Sequence, residues 1–118
     1  MESAYSLYVR GIELLDTGNP AQAAVVLERA RALEPEKASI RESLGRAYFN
    51  YGELEMAKEH FEKALELHPT DHFAHFCVAL CHKRQGNLIL ARKHLKLALA
   101  MEPDSKQYQQ ALNRVLRS

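Results

Sequence analysis

Within residues 38–71 the apolar positions Leu44, Tyr48 and Tyr51 recur at steps of three and four, and after Gly52 the steps resume through Leu54, Ala57, Phe61, Ala64, Leu65 and Leu67. That spacing places each set on one face of an α-helix. The segment therefore reads as two amphipathic helices joined at a glycine. The same pattern returns on either side at an offset of 34 residues. Pro35, Pro69 and Pro103 share a column, as do Gly18, Gly52 and Gly86; Ala23, Ala57 and Ala91; and Ala30, Ala64 and Ala98. Leu27, Phe61 and Leu95 form another, and Leu33, Leu67 and Met101 a further one. Gly11 and Gly45 align with the equally small Ala79. A fixed period of this length marks a stack of helical hairpins. The units are 4–37, 38–71 and 72–105, with 106–118 left over as one more helix, giving a single all-α domain over 1–118. No stretch alternates with the two-residue period of a half-buried strand.

The punctuation fits that division. The glycine column ends each first helix, where the chain needs a residue at positive φ. The proline column ends each second helix. Asn19 before Pro20, and Asp71 and Asp104 just after a proline, are expected to cap the helices that follow. The small columns let paired helices approach, with Leu27, Phe61 and Leu95 filling the space beside them.

A hairpin of this kind cannot bury its apolar faces alone, and the outer face of a terminal repeat is normally polar. The columns expected to meet the preceding repeat hold Ile40, Leu44, Ala47 and Tyr51 in the second unit, and Ala74, Val78, Cys81 and Gln85 in the third. In the first unit they hold Ser6, Arg10, Glu13 and Thr17. In the leftover helix Tyr108, Leu112 and Val115 point backward, while Gln109, Asn113 and Leu116 point forward. The expectation is a sealed, complete array with 106–118 as its closing helix.

A 34-residue helix–turn–helix period with small, bulky and proline columns in this order resembles the tetratricopeptide repeat (TPR) family, over about the whole chain. Two columns depart from the usual pattern: Leu7, Arg41 and His75 stand where a bulky residue such as tryptophan is common, and Leu14, Tyr48 and His82 stand in a tyrosine column. The RNA-reading pentatricopeptide family has a period one residue longer. The resemblance implies a right-handed α-solenoid whose first helices line a concave groove that holds an extended peptide or a helix. Carried over column by column, the groove would draw Tyr5, Tyr8, Ile12 and Leu15 from the first helix, and Ser39, Glu42, Arg46, Phe49 and Asn50 from the second repeat. Phe73, Phe76, Leu80 and Lys83 would come from the third repeat, and Gln107, Gln110 and Arg114 from the closing helix. Some members clamp the C-terminal carboxylate of heat-shock chaperones with lysine and asparagine; the matching places here hold Tyr8, Ile12 and Phe73, so that clamp is not expected.

Composition narrows the partner. With 16 Lys and Arg against 15 Asp and Glu, the net charge of +1 is too balanced for a protein whose main partner is a polyphosphate backbone, so no nucleic acid is expected. No run approaches the ~18–20 apolar residues that cross a bilayer. The start, Met1-Glu2-Ser3-Ala4-Tyr5, lacks the features of a signal peptide, and a cytoplasmic location is expected. Cys77 and Cys81 lie four apart on one helix, a poor geometry for a bridge, and are expected to serve as small apolar filler.

Candidate chemistry changes little. His72, His75 and His82 lie close to the two cysteines, but their columns point different ways and no four donors converge as zinc requires. His60 and His94 share one column and are expected on the surface. No phosphate loop or nucleophile motif occurs, so no catalytic residue, cofactor or metal is expected. Charge, however, is uneven: residues 1–71 carry 8 Lys and Arg against 13 Asp and Glu, and residues 72–118 carry 8 against 2. The first functional expectation is a non-catalytic module that captures a peptide or helix of another protein. The second is a scaffold subunit that self-assembles weakly through end-to-end or charge-complementary contacts.

Overall fold

A computed structural model describes residues 2–118. Among these residues it has seven helices and no strand: α1 (Ala4–Asp16), α2 (Pro20–Leu33), α3 (Ala38–Tyr51), α4 (Leu54–Leu67), α5 (His72–Arg84), α6 (Leu88–Met101) and α7 (Lys106–Leu116). Each pair α1–α2, α3–α4 and α5–α6 packs as a hairpin, and each hairpin packs on the next. First helices of successive hairpins touch, α1 on α3 and α3 on α5, whereas the second helices make no comparable contact with one another. The stack therefore curves toward the side carrying α1, α3 and α5.

The glycine column does what the pattern requires: Gly52 ends α3 at φ 95°, a conformation that L side chains rarely adopt. At Gly45 the reason is space. A Cβ there would lie 2.5 Å from the Phe61 ring, which fills the seam between α3 and α4. Gly45→Ala should therefore cost about 1–3 kcal/mol by overpacking, which chemical denaturation would register as a lower midpoint with an unchanged slope.

Capping follows the columns with two exceptions. Asp71 accepts from the Ala74 amide. Its partner one period later is Ser105, which accepts from the Tyr108 amide; Asp104, expected to cap α7, lies one residue too early. Asn19 precedes α2 but makes no side-chain cap; its amide donates to the Thr17 carbonyl and hydroxyl instead.

The core runs through both seams. Ile40, Leu44, Ala47, Ala74, Val78 and Cys81 are buried against the preceding repeats. Tyr51 and Gln85, assigned to the same face, are exposed; Gln85 still meets the preceding hairpin through hydrogen bonds with Glu55 and Lys58. Ser6, Arg10, Glu13 and Thr17 are all exposed. On α7, Tyr108, Leu112 and Val115 are buried, while Gln109, Asn113 and Leu116 face solvent. The Tyr108 ring stacks on Phe76, and its hydroxyl donates to His72 Nδ1 at 2.7 Å.

His60 and His94 are not surface residues. His60 is buried, stacked face to face on Tyr48. Tyr48 in turn donates to Glu28 at 2.7 Å. His94 is half-buried between His75 and His82. His75 Nε2–H donates to the Pro69 carbonyl at 3.3 Å, which leaves Nδ1 to accept from His94 Nδ1–H at 3.1 Å. The third member of the column, Val26, is buried as well: in the second and third repeats this position faces the first helix of its own hairpin.

Candidate functional site

The inner side of the curve is built from α1, α3, α5 and α7, and two cavities open on it. The larger cluster of aromatic rings surrounds a cavity of about 270 Å³ lined by Arg46, Phe49, Asn50, Phe73, Phe76, Leu80 and Gln107, with Phe61 and Cys77 beneath. The helical period explains this gathering: Arg46, Phe49 and Asn50 fall on one face of α3, and Phe73, Phe76, Cys77 and Leu80 fall on the opposing face of α5. The second cavity, about 340 Å³, lies at the N-terminal end, lined by Ala4, Tyr5, Tyr8, Glu34, Lys37, Ser39 and Ile40.

The expected groove residues separate into three groups. Tyr5 is 75% exposed. Tyr8, Ile12, Arg46, Phe49, Phe73, Leu80 and Lys83 are half-buried, and Asn50, Gln107, Gln110 and Arg114 are exposed. Phe76 corrects the expectation: at 7% exposed it belongs to the core, covered by the Tyr108 ring at 5.0 Å between centroids. Leu15 is also buried. Phe73, whose ring lies 6.0 Å from that of Phe76, is the one left partly open. Ile12, Lys83 and Arg114 line neither cavity.

Arg84 was absent from the sequence reading. Its guanidinium lies over the Phe49 ring, 4.6 Å from the centroid, a favourable cation–π geometry. It also shares an open cleft with Asn50, so the cationic edge comprises Arg46 and Arg84. The signal available was the repeat itself, since Lys83 and Arg84 lie one period after the groove positions Phe49 and Asn50.

Beside the aromatic cavity the electrostatics are unusual. Burial, and then the neighbouring Asp71 carboxyl, push Glu42 up to about 8, with Arg46 opposing. Asp71 is held below its ordinary value, because the Glu42 carboxyl and the Ala74 amide both hydrogen bond to it, against the opposing effect of burial. The two carboxyls thus keep one proton between them at neutral pH. Cys77 is raised by burial and then by Glu42, and burial pushes Cys81 up to about 11. Both thiols are protonated and unreactive. Among the described residues no group of three or more His, Cys, Asp or Glu side chains is placed to hold a metal ion, and no helix is long and apolar enough to cross a membrane.

Known proteins place the chain in context. Two sequence profiles described as tetratricopeptide repeat match residues 8–72 and 60–93. The Superkiller complex protein 3 of Mus musculus is 33% identical over 95 residues, which is 80% of this chain but only 6% of that protein's length. Among solved structures, the first TPR of Spaghetti (RPAP3) bound to the HSP90 peptide SRMEEVD superposes with a TM-score of 0.94. That match is at 17% identity and covers 98% of this chain and 91% of that one. YrrB, described as a TPR protein with an unusual peptide-binding site, superposes with a TM-score of 0.88 at 25% identity, covering 94% of this chain and 57% of that one. With three hairpins in 34-residue register and a profile matched over more than half its length, the chain belongs to the tetratricopeptide repeat family.

Proposed function

We propose that the chain is a non-catalytic module that captures a peptide or helix of a partner protein on its concave side, with the cavity between α3 and α5 as the principal anchor. The observation carrying this reading is that cavity itself: half-open aromatic rings of Phe49 and Phe73 beside Leu80, edged by Arg46 and Arg84. Pockets that are mostly apolar, with a few polar groups placed at the edge, are the usual form of a binding site. Buried aromatic and arginine anchors carry most of the energy at protein interfaces. The ligand chemistry follows: one bulky apolar side chain for the cavity, with carboxylates nearby for the arginines. The bound HSP90 peptide of RPAP3 and the peptide-binding site of YrrB support a peptide as the kind of ligand. The heat-shock carboxylate clamp does not carry over, since Tyr8, Ile12 and Phe73 occupy its places. A cytoplasmic setting accords with two buried, unbridged thiols.

Selection of displayed random dodecapeptides on the purified chain should enrich sequences with a large apolar residue flanked by Asp or Glu. Phe73→Ala should weaken a selected peptide at least ~10-fold, while its melting temperature stays close to the parent's because the ring is only partly buried. Phe76→Ala should instead lower stability by about 3–5 kcal/mol. A Phe73→Ala protein that folds normally and binds the peptide unchanged would refute the site.

A further inference from the structure

We propose that the outer face formed by α4 and α6 is a two-fold interface at which a second copy of this chain docks. A shift of 34 residues lays the outward columns of α4 on those of α6: Glu59 on Lys93, Glu62 on Lys96, and Glu55 on Ile89. Two of these columns, Glu59 with Lys93 and Glu62 with Lys96, thus carry opposite charge in neighbouring repeats, while Lys58 and Arg92 share a sign. The α6 helix contains no acidic residue. It exposes Arg92, Lys93 and Lys96 around Ile89, which is 73% exposed, and Leu97, which is 37% exposed. Together these five line a shallow depression of about 430 Å³. Glu59, Glu62 and Glu66 line a second depression, of about 400 Å³, with Arg41 and Lys63.

Most neighbouring charges are already satisfied within the chain. Lys63 pairs with Glu66 and Glu36, and Lys58 pairs with Glu55. Glu59, Glu62, Arg92, Lys93 and Lys96 are different: among the described residues none has an opposite charge within 4.0 Å. Ile89 and Leu97 place exposed apolar surface between those cations.

An isologous interface must be complementary to itself. Here α4 and α6, each the second helix of its hairpin, run the same way on one side of the stack. A two-fold axis lying between them and parallel to them sets α4 of one copy on α6 of the other, twice. The acidic column then meets the basic column at the same level, and Ile89, Leu97 and the exposed Met56 are covered. Such an assembly closes at two copies. It leaves the concave side open, so it stands independently of the groove reading.

Sedimentation equilibrium from ~5 to ~500 µM, at low and moderate salt, tests this. The expected result is a rise from the mass of one chain to that of two and no further, with weaker association at higher salt. Lys93→Glu with Lys96→Glu, and separately Glu59→Lys with Glu62→Lys, should each weaken self-association at least ~10-fold with unchanged circular dichroism. An equimolar mixture of the two variants should dimerise again, and so should a chain carrying all four substitutions. A parent chain monomeric throughout overturns the proposal and leaves the α6 face to a separate acidic partner. Growth beyond two copies, or a dimer indifferent to both reversals, overturns it as well.

Discussion

Removal of residues 106–118 should lower the melting temperature by more than ~10 °C, or leave the protein insoluble. Tyr108, Leu112 and Val115 are all below 9% exposed against the third hairpin. At ~1.5–3 kcal/mol for each large apolar side chain, their loss approaches the ~5–15 kcal/mol stability of a typical domain. The truncation would also uncover Phe76, whose ring is stacked under Tyr108, and leave His72 Nδ1 without its hydroxyl donor. A dye that reports exposed apolar surface should bind the truncated chain and ignore the full one. A truncated protein with unchanged melting temperature and no dye binding would show that α7 is not a structural part of the fold.

The second large effect is on pH. Burial, followed by the charges of His75, His82 and Lys93, holds His94 down to about 4. Burial likewise lowers His60, beside Glu28, Arg41, Arg31 and Glu59, and His82, beside Lys58, Glu62 and Glu55. In the unfolded chain each of these rings takes up a proton near its ordinary 6.5. Between pH 6.5 and 4 the unfolded state therefore binds more protons, and stability present above 6.5 is lost as pH falls through that window. His94 alone should account for about 2 kcal/mol, allowing for its remaining contact with water. Glu42 acts with the opposite sign: the fold keeps a proton that the unfolded chain releases above 4.5, so its contribution falls as pH rises toward 8. The two effects oppose each other between 4.5 and 6.5, and only the Glu42 decline remains above that range, so stability should peak near pH 6.5. His94→Gln should flatten the acid limb and Glu42→Gln the alkaline limb. Slopes identical to the parent's in both variants would contradict this assignment.

The repeat was legible because its columns record contacts that cannot be varied independently. Gly45 is small because Phe61 lies against it, and the two recur together. Helix ends were legible within two residues, and the Asp104 error arose from reading residue preference ahead of register: Ser105, not Asp104, is one period after Asp71. His60 and His94 were misplaced for a related reason. Residue type suggested solvent, while their column, shared with the buried Val26, pointed to the inside of the hairpin.

The candidate site was legible as a set of columns, and less so in depth. A column gives the direction of a side chain but not what covers it. Phe73 and Phe76 both point toward the concave side, and only the position of Tyr108 on α7 makes one core and leaves the other accessible. Arg84 lies one period after Asn50 and so was legible as a groove position, whereas its placement over the Phe49 ring was not. The charge imbalance between the two halves of the chain was plain in the sequence. Its concentration on neighbouring outward faces required knowing which columns of α4 and α6 remain uncovered.

The most direct test of the concave-groove account is to titrate the isotope-labelled chain with a selected acidic, apolar-anchored peptide and follow the backbone amide resonances. The account predicts that the largest shifts cluster at residues 42–50, 73–84 and 107–114, around Phe49, Phe73 and Arg84, and that they vanish in Phe73→Ala. Shifts confined to residues 55–66 and 89–100, on the outer helices, would contradict it.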